Sequence, residues 1–247
     1  MPRLRNVLVV LKRELMSYFE SPVAYVFMVF FLLLIGFLTF SVSRLYERNM
    51  ADLQPFFFWY PWVFLILVPA ATMGLWAEER DTGTIELLLT MPITLSEALL
   101  GKFLASWMFM VIGIALTFPV VVTVAILGDP DMGAIIGGYI GTALLAGACA
   151  SIGMLTSSTT RSQVISYVVS FTICLVLLLA GWEPITDFFS KWAPAWLVDT
   201  VAAFSFIPHF EALRRGVVDL RDVAYYASVI VFMLFATHVV VENRKSA

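Results

Sequence analysis

The 247-residue chain is 61% hydrophobic and only 13% charged, against roughly 45–50% and 25% in soluble domains. With a mean hydropathy of +0.92 it reads as an integral membrane protein, and a net charge of -3 offers no basic field for nucleic acid. A mass of 27.6 kDa leaves room for several membrane spans and no large second domain, so residues 1–247 are expected to form one domain.

Leu4, Val7, Leu8, Leu11, Leu15, Tyr18 and Phe19 recur at helical spacing, with Arg5, Lys12 and Arg13 elsewhere on the wheel. That pattern predicts an amphipathic helix over residues 1–20, lying in the membrane interface with its apolar stripe down. Charge interrupts it too often for a cleaved signal peptide, so the first span is expected to act as an uncleaved anchor. Six stretches then reach the roughly 20 apolar residues a spanning helix needs: 23–42, 56–77, 103–127, 133–156, 164–182 and 223–241. None contains Asp, Glu, Lys or Arg, and His238 is their one ionisable residue apart from Cys and Tyr. The runs lack the alternation of a barrel, and a bilayer cannot satisfy open strand edges, so the fold class is all-α with six transmembrane helices.

Ser21-Pro22 supplies a cap and a first-turn proline for the first span. Glu78, Glu79 and Arg80 are expected to stop the second, since each charge costs roughly 2.5–3.5 kcal/mol at the bilayer centre. The loop that follows, residues 78–102 within AEERDTGTIELLLTMPITLSEALLGK, is unusually charged and helix-prone for such an apolar chain. Asp81, Thr82, Gly83 and Thr84 are cap-type residues, and Ile85, Glu86, Leu87, Leu88 and Leu89 form a short amphipathic turn or two closed by Pro92. Thr94 and Glu97 then make a capping box that leads into the third span through Gly101 and Lys102. The leucines either tuck against the protein's own helix ends or fill a groove on a soluble partner. Pro61, Pro69 and Pro119 either kink spans two and three near a path or serve packing.

Gly133, Gly137 and Gly141, followed by Gly147 and Gly153, give the fourth span a small-residue face for close packing, within the subunit or at a dimer contact. Cys149 and Cys174 fall in apolar runs and read as small hydrophobes. Residues 183–222 form a long loop, expected to hold two or three short helices capping one end of the spans. Trp182, Trp192 and Trp196 mark an interface there, and Phe188, Phe189, Trp192, Leu197, Val201 and Phe204 are expected to bury against lipid or span tops. Residues 210–215 form one helix, with Gly216 just past its end. Asp219 and Asp222 resemble a capping box before the last span. Placing the N-terminus inside puts nine of the 15 basic residues on the inner side and the C-terminus with them.

The run EERDTGTIELLLTMPITLSEALLGKFLA resembles the cytoplasmic loop of ABC-2 type transporter permeases, which carry an acidic pair, a Gly-Thr, a Glu-Leu-Leu and a proline before the next helix. The resemblance implies that Glu78, Glu79, Thr82, Gly83, Thr84, Glu86, Leu87, Leu88 and Pro92 belong to a coupling helix docked on a separate ATP-binding subunit, and that residues 1–20 are the connecting helix. Six spans with both termini cytoplasmic agree with it. SFIPHFEALRRGVVDLRDVAYY, residues 205–226, is similar to the gliding-motility subgroup, the GldF-like permeases, through His209, Phe210, Glu211, Arg215, Gly216 and Asp219. With Glu183, these mark the extracytoplasmic cap.

The chain has no G-x-x-x-x-G-K-[ST] phosphate loop, so ATP and Mg are expected on the partner, with no cofactor or metal bound here. No catalytic cluster is visible, because His209 and Glu211 are sequence neighbours and His238 lies near the opposite membrane face. The absence of a carboxylate in the spans and of a charged ring argues against ion-coupled transport and a channel. The resemblance therefore implies a non-enzymatic permease in the cell membrane, bacterial inner membrane by type. Its partners would be two ATP-binding subunits, a second permease, identical or homologous, and an extracytoplasmic accessory protein. The cargo would be apolar or amphiphilic. The alternatives are a mechanotransmission permease, which the short outer loop disfavours, and an intramembrane enzyme.

Overall fold

The computed structural model describes residues 2–45, 52–84 and 93–245, and among these every regular element is helical. Helix α1 spans Pro2–Glu20. Ser21 then accepts a hydrogen bond from the Val23 amide and Pro22 opens α2, Pro22–Phe37, which runs on as a single π-helical turn, Leu38–Val42. This is the first span as the sequence reads it.

The second span departs from its sequence outline. A short helix α3, Gln54–Phe58, precedes α4, Tyr60–Thr72, and after a turn at 73–76 the chain resumes as α5, Ala77–Asp81. Pro61 sits in the first turn of α4, where its missing N–H costs nothing, while Pro69 is interior. Glu78, Glu79 and Arg80, expected to stop the second span, lie within α5, the last helical turn of that run. The helix closes at Asp81. Thr82 donates to the Glu78 carbonyl, Thr84 to that of Glu79, and Gly83 takes φ 73°, a left-handed conformation suited to glycine. The cap-type residues 82–84 thus end α5, and the segment 85–92 that follows them lies outside the described residues.

The third span is α6, Leu95–Ala115, continued by α7, Phe118–Leu127, past a break at Leu116 and Thr117. Pro119 falls in the first turn of α7, so it marks this break. Thr117 shares hydrogen bonds with the hydroxyls of Tyr60 and Tyr139 at 3.0 and 3.1 Å, satisfying buried polar atoms there. Helix α8, Met132–Thr159, is capped by Asp131, which accepts from the Gly133 and Ala134 amides. Helix α9, Gln163–Leu179, has 17 residues, about 25 Å at 1.5 Å per residue. That is short of a hydrocarbon core of about 30 Å, and the chain bends by 65° into α10, Glu183–Ser190. Helices α11, Ala195–Ala203, and α12, Phe206–Arg214, complete the segment before the last span, α13, Leu220–Lys245. Among the described residues five helices are long and apolar enough to cross a membrane, six with the bent pair. The 183–222 loop thus holds three short helices, and α12 begins a turn earlier than expected because Ser205 caps it. Gly216, at φ 84°, follows it as anticipated.

Helix α8 is the hub, packed by α4, α6, α9, α12 and α13. Its glycines make that possible. A methyl group at Gly153 would lie 1.9 Å from Thr72 Oγ1, and one at Gly137 would lie 2.3 Å from the Leu213 carbonyl oxygen. Gly141 and Gly147 likewise face Leu213 and Trp107, so at these four glycines the small-residue face is spent on packing within the chain. Cys149 and Cys174 are buried and meet side chain to side chain between α8 and α9.

Candidate functional site

At the end of the bundle where α1 lies, here the proximal end, α1 packs along α6. Gly101 permits the approach, since a methyl there would meet Val10 at 2.6 Å. The packed face carries Val7, Leu11, Leu15, Tyr18 and Phe19 of the amphipathic stripe, but also Val10 and Glu14, while Leu4 and Leu8 stay exposed. Part of the stripe thus faces protein. Tyr18 stacks on Phe109 with ring centroids 4.8 Å apart and donates to the Ala71 carbonyl. Burial pushes its phenol pKa far up. The capping box forms in full: Glu97 N–H donates to Thr94 Oγ1 and Thr94 N–H to Glu97 Oε2, to which Asn6 of α1 also donates.

Lys102 is the centre of this junction. Its side chain is 3% exposed, with Nζ 2.7 Å from Glu79 Oε1 and 3.3 Å from Glu14 Oε2, and it lies over the Trp76 ring at 5.5 Å. One cation therefore ties α1, α5 and α6 together. Burial alone would raise the Glu14 carboxyl, but Lys102 and Arg13 outweigh it and hold it below its ordinary value. Behind the triad, Ser157 of α8 accepts from the amides of Trp76 and Ala77 and donates to the Met73 carbonyl. It satisfies the backbone groups exposed by the turn at 73–76.

A cleft of about 880 Å³ opens beside the junction, lined by Arg13, Glu14, Glu78, Glu79, Lys102 and Gln163 among others. Of the sequence-predicted coupling residues, Glu79 is in the triad, Glu78 lines the cleft, and Thr82, Gly83 and Thr84 close α5. Glu86, Leu87, Leu88 and Pro92 lie outside the described residues. Sequence reasoning missed Glu14 and Ser157, and read Lys102 only as part of the lead into the third span. A lysine beside a run of apolar residues ordinarily reaches for water, and nothing in its neighbours announces two acids from elsewhere in the chain.

At the opposite, distal end, α12 lays Phe206, Phe210 and Leu213 into the bundle. Glu211 pairs with Arg214 at 3.5 Å and Arg215 at 3.3 Å, and burial lowers the Arg214 pKa. Gly216 abuts the start of α8, where a methyl would come within 2.9 Å of the Ala134 nitrogen. Glu183 opens α10 next to Trp182, whose ring meets Trp62 edge to face at 5.3 Å. Helices α10 and α11 bury no residue and pack on each other. Phe188, Phe189, Trp192, Leu197, Val201 and Phe204 stay exposed in this structure, so they do not bury against span tops. Asp219 accepts from the Arg221 amide, but Asp222 does not complete a capping box; it turns to His209, Oδ1 to Nδ1 at 2.6 Å. His209 is thus a hydrogen-bonding residue of the distal helices. Among the described residues no group of three or more His, Cys, Asp or Glu could hold a metal ion.

A sequence profile described as ABC-2 family transporter protein matches residues 8–241. No curated protein matches the chain. Together with the all-helical, multi-pass architecture, the profile match places the chain as a membrane component that belongs to the ABC-2 transporter family, a family without an ATPase domain of its own.

Proposed function

We propose that the protein is the permease subunit of an ATP-driven ABC-2 exporter, in which two permeases work with two copies of a separate ATP-binding subunit. The observation that carries this reading is the Lys102 junction. The 78–102 loop leaves the bundle at Glu79 and returns at Lys102, and those two side chains are ion-paired with each other and, through Glu14, with α1. A partner that moves the loop therefore moves the ends of spans two and three and the N-terminal helix as one body. Ser157 extends the connection to α8, the hub on which the remaining helices pack.

The proximal end is cytoplasmic in this reading. The ATP-binding subunit docks on residues 81–91, with Leu87 and Leu88 in its groove and Glu86 against a basic rim, and it holds ATP and Mg. Closure of the two ATP-binding subunits draws the loops together and opens a path between the permeases. Apolar runs without Asp, Glu, Lys or Arg favour an apolar or amphiphilic cargo. The narrower GldF-like likeness rests on residues 205–226, and the family match does not distinguish that subgroup. The test is affinity capture of the tagged chain from its native membranes, followed by protein identification. Recovery of a phosphate-loop ATPase in equal amount supports the reading; recovery of the chain without one contradicts it.

A further inference from the structure

Two acceptors face one imidazole at the distal end. His209 Nδ1 lies 2.6 Å from Asp222 Oδ1, and Nε2 lies 3.2 Å from the Ala203 carbonyl oxygen. Neither an ionised carboxylate nor a carbonyl can donate, so each contact is a hydrogen bond only when the ring nitrogen carries the proton. A neutral imidazole has one N–H and the imidazolium has two. We infer that His209 is a proton-operated latch joining the end of α11 and the start of α12 to the first turns of α13, closed when the ring is protonated and loosened when it is not.

The surroundings favour such a device. The His209 side chain is 14% exposed and that of Asp222 9%, so the Nδ1 contact is shielded, while the Nε2 contact with Ala203 lies on the open side. Tyr225 stacks on the ring with centroids 3.9 Å apart and planes 19° from parallel, an aromatic face that favours a cation. Its hydroxyl donates to the Phe204 carbonyl at 2.6 Å, and that of Tyr226 to the Phe206 carbonyl at 2.9 Å. Three side chains from the start of α13 thus hold residues 203–209. The other charged groups nearby are engaged: on α12, Glu211 with Arg214 and Arg215, and ahead of α13, Asp219 with the Arg221 amide. The Cys149 thiol of α8 lies beyond Tyr225.

The direction of the response follows from the bond strengths. On losing a proton the ring keeps Nδ1–H on Asp222, the charge-assisted bond, and presents an Nε2 lone pair to the Ala203 oxygen. Two acceptors then face each other at the end of α11. Because α10 and α11 bury no side chain, they have little else to hold them, and the segment around 195–209 opens first. The signal read is acidity at the distal face.

The test is hydrogen–deuterium exchange of the full chain in lipid nanodiscs at about pH 6 and pH 8, with intrinsic exchange rates divided out. Protection of residues 195–209 should fall about tenfold on the alkaline side, the worth of one hydrogen bond to a charged group. In His209→Gln the pH dependence should vanish. Nitrogen-15 imidazole spectra, with the signal of His238 identified through His238→Asn, should show two N–H groups on His209 in the protected state and one in the open state. Equal protection at both pH values would overturn the latch. So would pH dependence that persists in His209→Gln, or a His209 ring with a single N–H throughout; the spectra serve alone if that variant does not fold.

Discussion

Lys102 has almost no water to fall back on if its acids are lost, and Glu14 and Glu79 have little if Lys102 is lost. Breaking a buried pair from one side typically costs about 3–5 kcal/mol, because a charge is left uncompensated. Lys102→Met should therefore lower the thermal midpoint of the purified permease markedly. Adding Glu79→Gln should recover part of the loss by removing one orphaned charge, which a double-mutant cycle of melting temperatures would measure. The pH sign at Glu14 is also fixed. Its folded pKa is held below the ordinary value, so its contribution is present above the unfolded pKa and is lost as pH falls through the folded one. With intrinsic exchange rates divided out, protection of the α1 amides should hold at neutral pH and fall only in acid, below the ordinary carboxylate range; protection lost on the alkaline side of neutrality would contradict the pairing. The acids of this triad were legible as charges but not as partners, because their separation in sequence hides a contact that only the docking of α1 on α6 creates.

Among the elements, the broken second span shows where sequence reasoning succeeded and where it stopped. The apolar run and its charged end are plain in the sequence. That the helix passes through Glu78, Glu79 and Arg80 is not, because the lysine that neutralises Glu79 and the serine that satisfies the turn at 73–76 come from other helices. The Thr94 capping box, by contrast, is entirely local and forms as read. Ser157→Ala would leave the amides of Trp76 and Ala77 without a side-chain acceptor, each worth roughly 1–3 kcal/mol when buried. The expected result is a lower melting temperature and faster exchange at those two amides. Gly153 was visible as a small residue, but its neighbour was not. With Thr72 Oγ1 1.9 Å from where a methyl would sit, Gly153→Val should push α4 from α8 and cost about 1–3 kcal/mol or more, read as loss of monodisperse protein in detergent.

For the whole molecule, the count and composition of the spans were legible because lipid imposes them residue by residue, whereas the bend after α9 and the standing of α10 and α11 depend on packing that composition does not encode. Orientation is tested by single cysteines at Asp129 and Arg161, at opposite ends of α8. An impermeant maleimide applied to intact cells should label the first and spare the second; labelling of both from one side would overturn the six-span arrangement. The central claim, that the 78–102 loop docks a separate ATP-binding subunit, is tested most directly by Leu88→Asp in the tagged full chain. A charge placed at that contact would be buried without a partner, at a cost of several kcal/mol, while membrane insertion should be unaffected because the change lies outside the spans. The expected result is a variant permease present in the membrane at normal level that no longer co-purifies with its ATPase. A variant that retains a fully coupled ATPase would contradict the docking role and return Leu87 and Leu88 to packing against the protein's own helix ends.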